Sequence, residues 1–206
     1  KSNGFALVYH GTLARRLGVD LTIRAVANLR GRIPGLTFHV IGNGDDRDEL
    51  IGLAESLGVS SCVEFHGAIP IDRIASALRA MNLGVISNRR NIATELMLPV
   101  KMLEYIALGI PVVAPPLKAI RHYFSDDMLG YFEAENVDSL SSAILDAWQS
   151  EEKRRARVDK ARRFLDQYGW ERQKIDFIGL YRSLVLSSRG LDGQAASEKR
   201  KEIASC

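Results

Sequence analysis

Lys101 and Glu104 stand three residues apart, just after Pro99. Proline is favoured where a helix begins, so this pair falls on one face of the first turns of a helix. It can be a plain i,i+3 ion pair. It can also be a clamp, in which the ammonium neutralises a diphosphate and the carboxylate accepts from two ribose hydroxyls at once. A second segment, His10-Gly11-Thr12-Leu13-Ala14-Arg15-Arg16, joins a glycine that an anion can approach closely to Thr12 and an arginine as donors. Asn88 with Arg89 and Arg90 offers further donors to phosphate or sugar, or simply a solvated loop.

These residues can meet only if the elements carrying them converge. Phe5 to Tyr9, Leu36 to Ile41, Cys62 to Phe65, Leu83 to Ile86, Ile110 to Ala114 and Leu129 to Phe132 read as short buried strands. Helical spacing separates most of them: Val19 to Leu29, Arg47 to Leu57, Pro70 to about Met81, and the segment after Pro99. Strands alternating with helices predict βαβ units and an α/β fold with a doubly wound, mainly parallel sheet. In such a sheet the strand C-termini and helix N-termini share one edge, where ligands bind. That edge collects Tyr9 to Thr12, Gly42-Asn43-Gly44, His66-Gly67-Ala68, Ser87 to Arg90 and the start of the Pro99 helix, a set suited to phosphate oxygens. After Phe132 the pattern is helical to about Ser187, with a charged stretch from Glu151 to Arg163 read as a solvated face because acids sit among its bases. Residues 1–187 read as one domain and 188–206 as a polar, frayed tail.

Gly42-Asn43-Gly44 resembles the start of a dinucleotide fingerprint but fails it, since Arg47 replaces the third glycine and Asp45 and Asp46 would face a pyrophosphate with like charge. No Walker A sequence is present. A formal charge of +3 does not call for a nucleic-acid partner, and the 46% hydrophobic fraction over 206 residues excludes wholesale disorder. Cys62 and Cys206 lie too far apart for a disulfide framework, which places the chain in a reducing, cytoplasmic compartment. The apolar runs are too short to span a bilayer. His10, His39, His66 and His122 are dispersed along the sequence, so no metal site is expected.

Gly11-Thr12-Leu13 with Arg16 and Gly18-Val19-Asp20, Leu36 to Gly44, Val63 to Gly67, Pro99 to Val113 and Tyr168-Gly169-Trp170-Glu171 follow one another in an order that resembles the C-terminal domain of group 1 (family 4) glycosyltransferases of GT-B architecture. The resemblance runs from about Phe5 to Leu186. It implies that the chain binds a nucleotide-diphosphate sugar as donor substrate, without a metal or other cofactor, for retaining transfer of the glycosyl group to an acceptor hydroxyl. Glu104 would hold the ribose hydroxyls and Lys101 the diphosphate. Backbone groups of Leu98, Pro99 and Val100 would line the phosphate and sugar, and Ala68 after His66-Gly67 would meet the base. Gly11 and Thr12 would border the phosphates, His10 and His66 the donor pocket. The family's first loop carries an arginine after its glycine and a lysine before the next; Thr12 and Leu17 stand there, leaving Arg16, then Arg15, as the replacement cation. The family's first paired acid falls at Leu96, so Glu95 would take its role through a shifted loop. Arg16 and Lys101 would stabilise the departing diphosphate, in place of a metal. No acidic pair of the DxD type lies on the ligand edge apart from Asp45-Asp46. A saccharide or lipid-linked acceptor would bind a separate, missing N-terminal domain, with possible peripheral membrane association of the full-length enzyme and poor transfer by this chain alone. The alternative is a non-catalytic nucleotide-sugar binding module or partner subunit.

Overall fold

The computed structural model describes residues 4–188. Six strands form one sheet: β1 (Phe5–His10), β2 (Leu36–Ile41), β3 (Val63–Gly67), β4 (Leu83–Val85), β5 (Val112–Ala114) and β6 (Gly130–Tyr131). Their order is β3-β2-β1-β4-β5-β6 and every pairing is parallel. The α/β, doubly wound class expected from the alternation is therefore the class observed. Its order reverses between β1 and β4, which opens a crevice at their C-terminal ends.

The helices are α1 (Val19–Leu29), α2 (Arg47–Ser56), α3 (Ile71–Leu78), α4 (Ile92–Glu95), α5 (Val100–Ala107), α6 (Lys118–Tyr123), α7 (Val137–Gln149), α8 (Glu151–Tyr168) and α9 (Trp170–Ser188). Val19, Ile23, Val26 and Leu29 line one side of α1 and are buried with Leu7, Tyr9 and Phe38 of the sheet and Leu140 and Ile144 of α7. A 3.6-residue period on the helices and an alternating period on the strands bring these apolar sets together. On α8 the charged face is solvated as expected, and its bases find acids: Lys153 and Arg157 meet Asp146, Lys160 meets Asp127.

Two helices were not legible in the sequence. The short α4 forms because Asn91 and Thr94 make a reciprocal capping box, and α6 follows β5 without a side-chain cap. The chain divides into two compact units, Lys1–Arg163 and Phe164–Cys206, where the sequence suggested one to residue 187. In the second, α9 leaves Trp170, Phe177, Leu180 and Tyr181 exposed. The tail expected from Ser188 onward falls, beyond that residue, outside the described residues.

Candidate active site

The crevice between β1 and β4 is built from loops held against one another. After β1 the chain turns at Gly11, whose φ of +119° only glycine adopts readily. The Gly11 N–H donates to the Ile41 carbonyl at 2.8 Å and the Leu13 N–H to the Asn43 carbonyl at 2.9 Å. Gly42 lies so close that a Cβ there would sit 1.9 Å from the Gly11 carbonyl oxygen, and one at Gly44 2.2 Å from that of Leu13. The two glycines that imitate a dinucleotide fingerprint thus serve the packing of one loop on another.

On the opposite wall, Arg89 clamps the first loop. Its guanidinium makes a two-pronged contact with Asp20 at 2.8 and 2.7 Å and donates to the Arg15 carbonyl at 2.7 Å, while its backbone N–H donates to the Arg16 carbonyl at 2.9 Å. Burial alone would raise the Asp20 pKa, but the hydrogen bonds and charge of Arg89 outweigh it and the carboxyl is held below its ordinary value. Arg89, expected to offer its donors to phosphate or sugar, instead spends them on the protein. Since Asp20 and Arg89 are only 23% and 19% exposed, Arg89→Ala is expected to cost about 2 kcal/mol of stability, read from the urea midpoint at pH 7. The folded Asp20 pKa is the lower one, so the pair stabilises above the unfolded carboxyl pKa and that contribution fades as pH falls through the folded value. The gap between wild type and variant should narrow accordingly in acid.

Lys101 and Glu104 rise from the first turns of α5 into this crevice. Lys101 lies over the Tyr9 ring, with Nζ 3.8 Å from its centroid, and against Gly11, where a Cβ would be 3.0 Å from Nζ. Burial is the main cause that lowers the Lys101 pKa from 10.5 to about 7; Glu104 opposes the shift and Arg16 adds to it. Arg16 is exposed, and its charge acts on both Lys101 and Tyr9, so these cations share one neighbourhood. Arg15, the second choice for the cation, turns outward to Glu49.

Glu104 does not turn to Lys101. Its Oε2 lies 2.6 Å from His10 Nε2. The buried Tyr105 hydroxyl accepts from the His10 backbone N–H at 3.0 Å, which frees its own proton for His10 Nδ1 at 2.9 Å. Nδ1 is then the acceptor, and Nε2 carries the proton that His10 donates to Glu104. Burial lowers the His10 pKa, with Glu104 opposing and Lys101 assisting, which favours the neutral ring this relay needs. One carboxylate oxygen of Glu104 is so fixed, while the side chain remains 45% exposed for a ligand. The sequence placed His10 on the ligand edge; nothing in it signalled Tyr105, which contacts His10 across 95 positions.

The other candidates divide. Thr12 is exposed beside Gly11, and its carbonyl accepts from the Tyr9 hydroxyl at 2.6 Å. Leu98 is partly buried, Pro99 is buried at the N-cap of α5, and Val100 is exposed. The N–H groups of that first turn point toward the crevice end of the helix, a setting for anions. Asn88 is 2% exposed and its Oδ1 is buried without a hydrogen-bond partner, an acceptor that a hydroxyl or a water must satisfy. Glu95, expected to stand in for the first acid, instead meets Arg90 Nε at 3.0 Å and accepts from the Lys118 N–H at 2.7 Å, while Leu96 is 75% exposed. Ala68 is exposed after the Gly67 turn, and His66 faces His39 and Glu64 rather than Glu104. No helix among the described residues is long and apolar enough to cross a membrane.

A family model described as glycosyl transferases group 1 matches residues 1–164. D-inositol 3-phosphate glycosyltransferase of Corynebacterium urealyticum is 26% identical over 182 residues, covering 84% of this chain and 42% of that protein. A GDP-mannose-dependent alpha-(1-6)-phosphatidylinositol monomannoside mannosyltransferase of Mycolicibacterium smegmatis is 28% identical over 163 residues, covering 77% and 42%. The chain thus spans less than half the length of these curated relatives. Among solved structures, sucrose-phosphate synthase from Thermosynechococcus elongatus superposes with a TM-score of 0.77 at 20% identity, over 90% of this chain and 46% of that one.

Proposed function

The chain belongs to the group 1 glycosyl transferases, and we propose that it is the donor-binding half of a retaining enzyme, holding a nucleotide-diphosphate sugar in the crevice between β1, β4 and the start of α5. The observation that carries this reading is the arrangement of Lys101 and Glu104. They share one face of α5, yet they are not spent on each other: Lys101 rests against Gly11 in the desolvated floor, and His10 orients Glu104. Glu104 accepts from the ribose hydroxyls, while Lys101, Arg16 and the free N–H groups at the start of α5 meet the diphosphate. In the transfer step the bond between the anomeric carbon and the diphosphate oxygen breaks, the acceptor oxygen bonds to that carbon, and its proton passes to the departing diphosphate, on which negative charge grows. Cations already positioned there lower that barrier without reorganising. The acceptor hydroxyl comes from a partner domain, and the names of the relatives, for inositol 3-phosphate and a phosphatidylinositol mannoside, support a polyol or lipid-linked acceptor.

Calorimetric titration with nucleoside diphosphates tests the reading. At least one of them should bind. Glu104→Ala should weaken that binding by about ten- to a hundredfold, as expected for lost hydrogen bonds to a charged group, and leave inorganic diphosphate nearly unaffected. Equal loss for both would remove Glu104 from the ribose, and no binding by any nucleotide would sink the proposal. A second reading, a nucleotide-sugar module without transferase activity, has one observation in its favour: the Glu95 carboxylate is already engaged by Arg90 and Lys118. It predicts donor binding without sugar transfer even when the chain is joined to an upstream acceptor domain.

A further inference from the structure

His39, Glu64 and His66 converge on the solvent side of the β2–β3 edge. The parallel register pairs His39 with Glu64, and His66, two residues further along β3, emerges on the same face. The His39 Nδ1 to His66 Nε2 distance is 3.0 Å, His39 Nδ1 to Glu64 Oε2 3.4 Å, and His66 Nε2 to Glu64 Oε2 3.6 Å. Three lone-pair donors on a tetrahedral zinc ion, with bonds of about 2.0–2.1 Å, stand about 3.3–3.4 Å apart. The observed triangle has nearly that size. A proton shared between the two imidazoles satisfies two corners at most, and leaves the carboxylate oxygen aimed between two ring nitrogens of which only one can carry hydrogen.

We propose that His39, Glu64 and His66 form a zinc-binding site with three protein ligands and a fourth, open position facing solvent. Two imidazoles and one carboxylate suit zinc in ligand type. The far nitrogen of His39 is also provided for: Nε2 lies 3.1 Å from the Thr37 hydroxyl, and donating there fixes the tautomer whose Nδ1 lone pair faces the ion. Glu64 and His66 are 50% and 38% exposed, which leaves a path for the ion and for its remaining water. An ion here would staple β2 to β3 beside the turn at Gly67, whose carbonyl accepts from the Gly42 N–H at 2.8 Å, and so bear on the loop cluster around Gly11. The site uses neither Lys101 nor Glu104, so it stands or falls independently of the donor-binding reading.

The test uses the whole chain without an affinity tag, stripped with a chelator that is then removed. Titration with zinc chloride should show one ion per chain and an upward shift of the melting midpoint. His66→Ala and Glu64→Gln, both at exposed positions, should each weaken binding at least about tenfold. Cobalt(II) in the wild-type chain should give the intense visible bands of a four-coordinate ion, and nitrogen NMR of the wild-type imidazoles should shift His39 Nδ1 and His66 Nε2 on zinc addition. Absence of zinc binding would overturn the site, as would binding and a cobalt spectrum unchanged in the His39→Ala/His66→Ala double variant, or imidazole nitrogens that ignore the metal.

Discussion

Replacing Lys101 by methionine is expected to cut affinity for a nucleotide sugar by about ten- to a hundredfold, the loss of one charge-assisted contact, while raising the melting midpoint of the unliganded chain at neutral pH. The two effects run in opposite directions for one reason. The Lys101 ammonium is held against Tyr9 and Gly11, with the Glu104 and Arg16 charges acting on it, and burial brings its pKa down from 10.5 to about 7. Between those values the unfolded chain keeps a proton that the folded chain has released, so stability rises with pH across the window and the charged form is a burden below it. Methionine removes that burden and retains the length of the side chain. A bound diphosphate does the reverse: it returns an anion to the ammonium and lifts its pKa. Binding above about pH 7 should then take up protons, and affinity should fall by up to about tenfold per pH unit as pH rises through the window. Calorimetry in buffers of different ionisation enthalpy counts the protons; a nucleotide sugar is the suitable ligand because its diphosphate does not titrate there. Proton uptake that persists in Lys101→Met would assign the effect to another group.

The second large effect concerns stability. Gly42→Ala places a Cβ where the Gly11 carbonyl oxygen stands 1.9 Å away, at a φ of +145° that favours glycine. The atom it meets is backbone and a Cβ has no torsion by which to swing aside, so one loop must move. A loss of about 3 kcal/mol, or a fall of about 6–12 °C in the melting midpoint, is expected. Donor affinity should fall with it, since the displaced loop carries Gly11 and Thr12. The same substitution at Gly52, inside α2 with open space around it, should instead leave stability equal or raise it by up to about 1 kcal/mol. A pair of equal, small effects would show that Gly42 is an ordinary turn glycine.

That glycine marks where sequence reasoning stopped. Its flanking charges and missing third glycine were enough to reject a dinucleotide fingerprint, but the partner of its close approach sits 31 residues earlier, on another strand's loop, and nothing in the local pattern names it. The charged candidates fared likewise. Arg89 and Glu95 were reasonable ligands by type and by their place on the strand edge. Their charges are claimed by Asp20 and by Arg90 with the α6 N-terminus, partners chosen by how β4, α1 and β5 neighbour one another. The four histidines looked scattered, yet parallel pairing of β2 with β3 brings His39 and His66 to 3.0 Å.

The sequence by itself determined the alternation of strands and helices, the glycine-rich edge where they meet, and the common face of Lys101 and Glu104. Each of these follows from periods and turn chemistry that act within a few residues. Only the tertiary structure decided which groups on that edge remain open to a ligand. A charge is free or spent according to what strand order and register carry beside it, and here that contact joins residues 69 apart for Arg89 and 94 apart for Glu104. Desolvation has the same origin: Lys101 has a pKa near 7 because α5 packs against the loop after β1, a fact of packing and not of spacing.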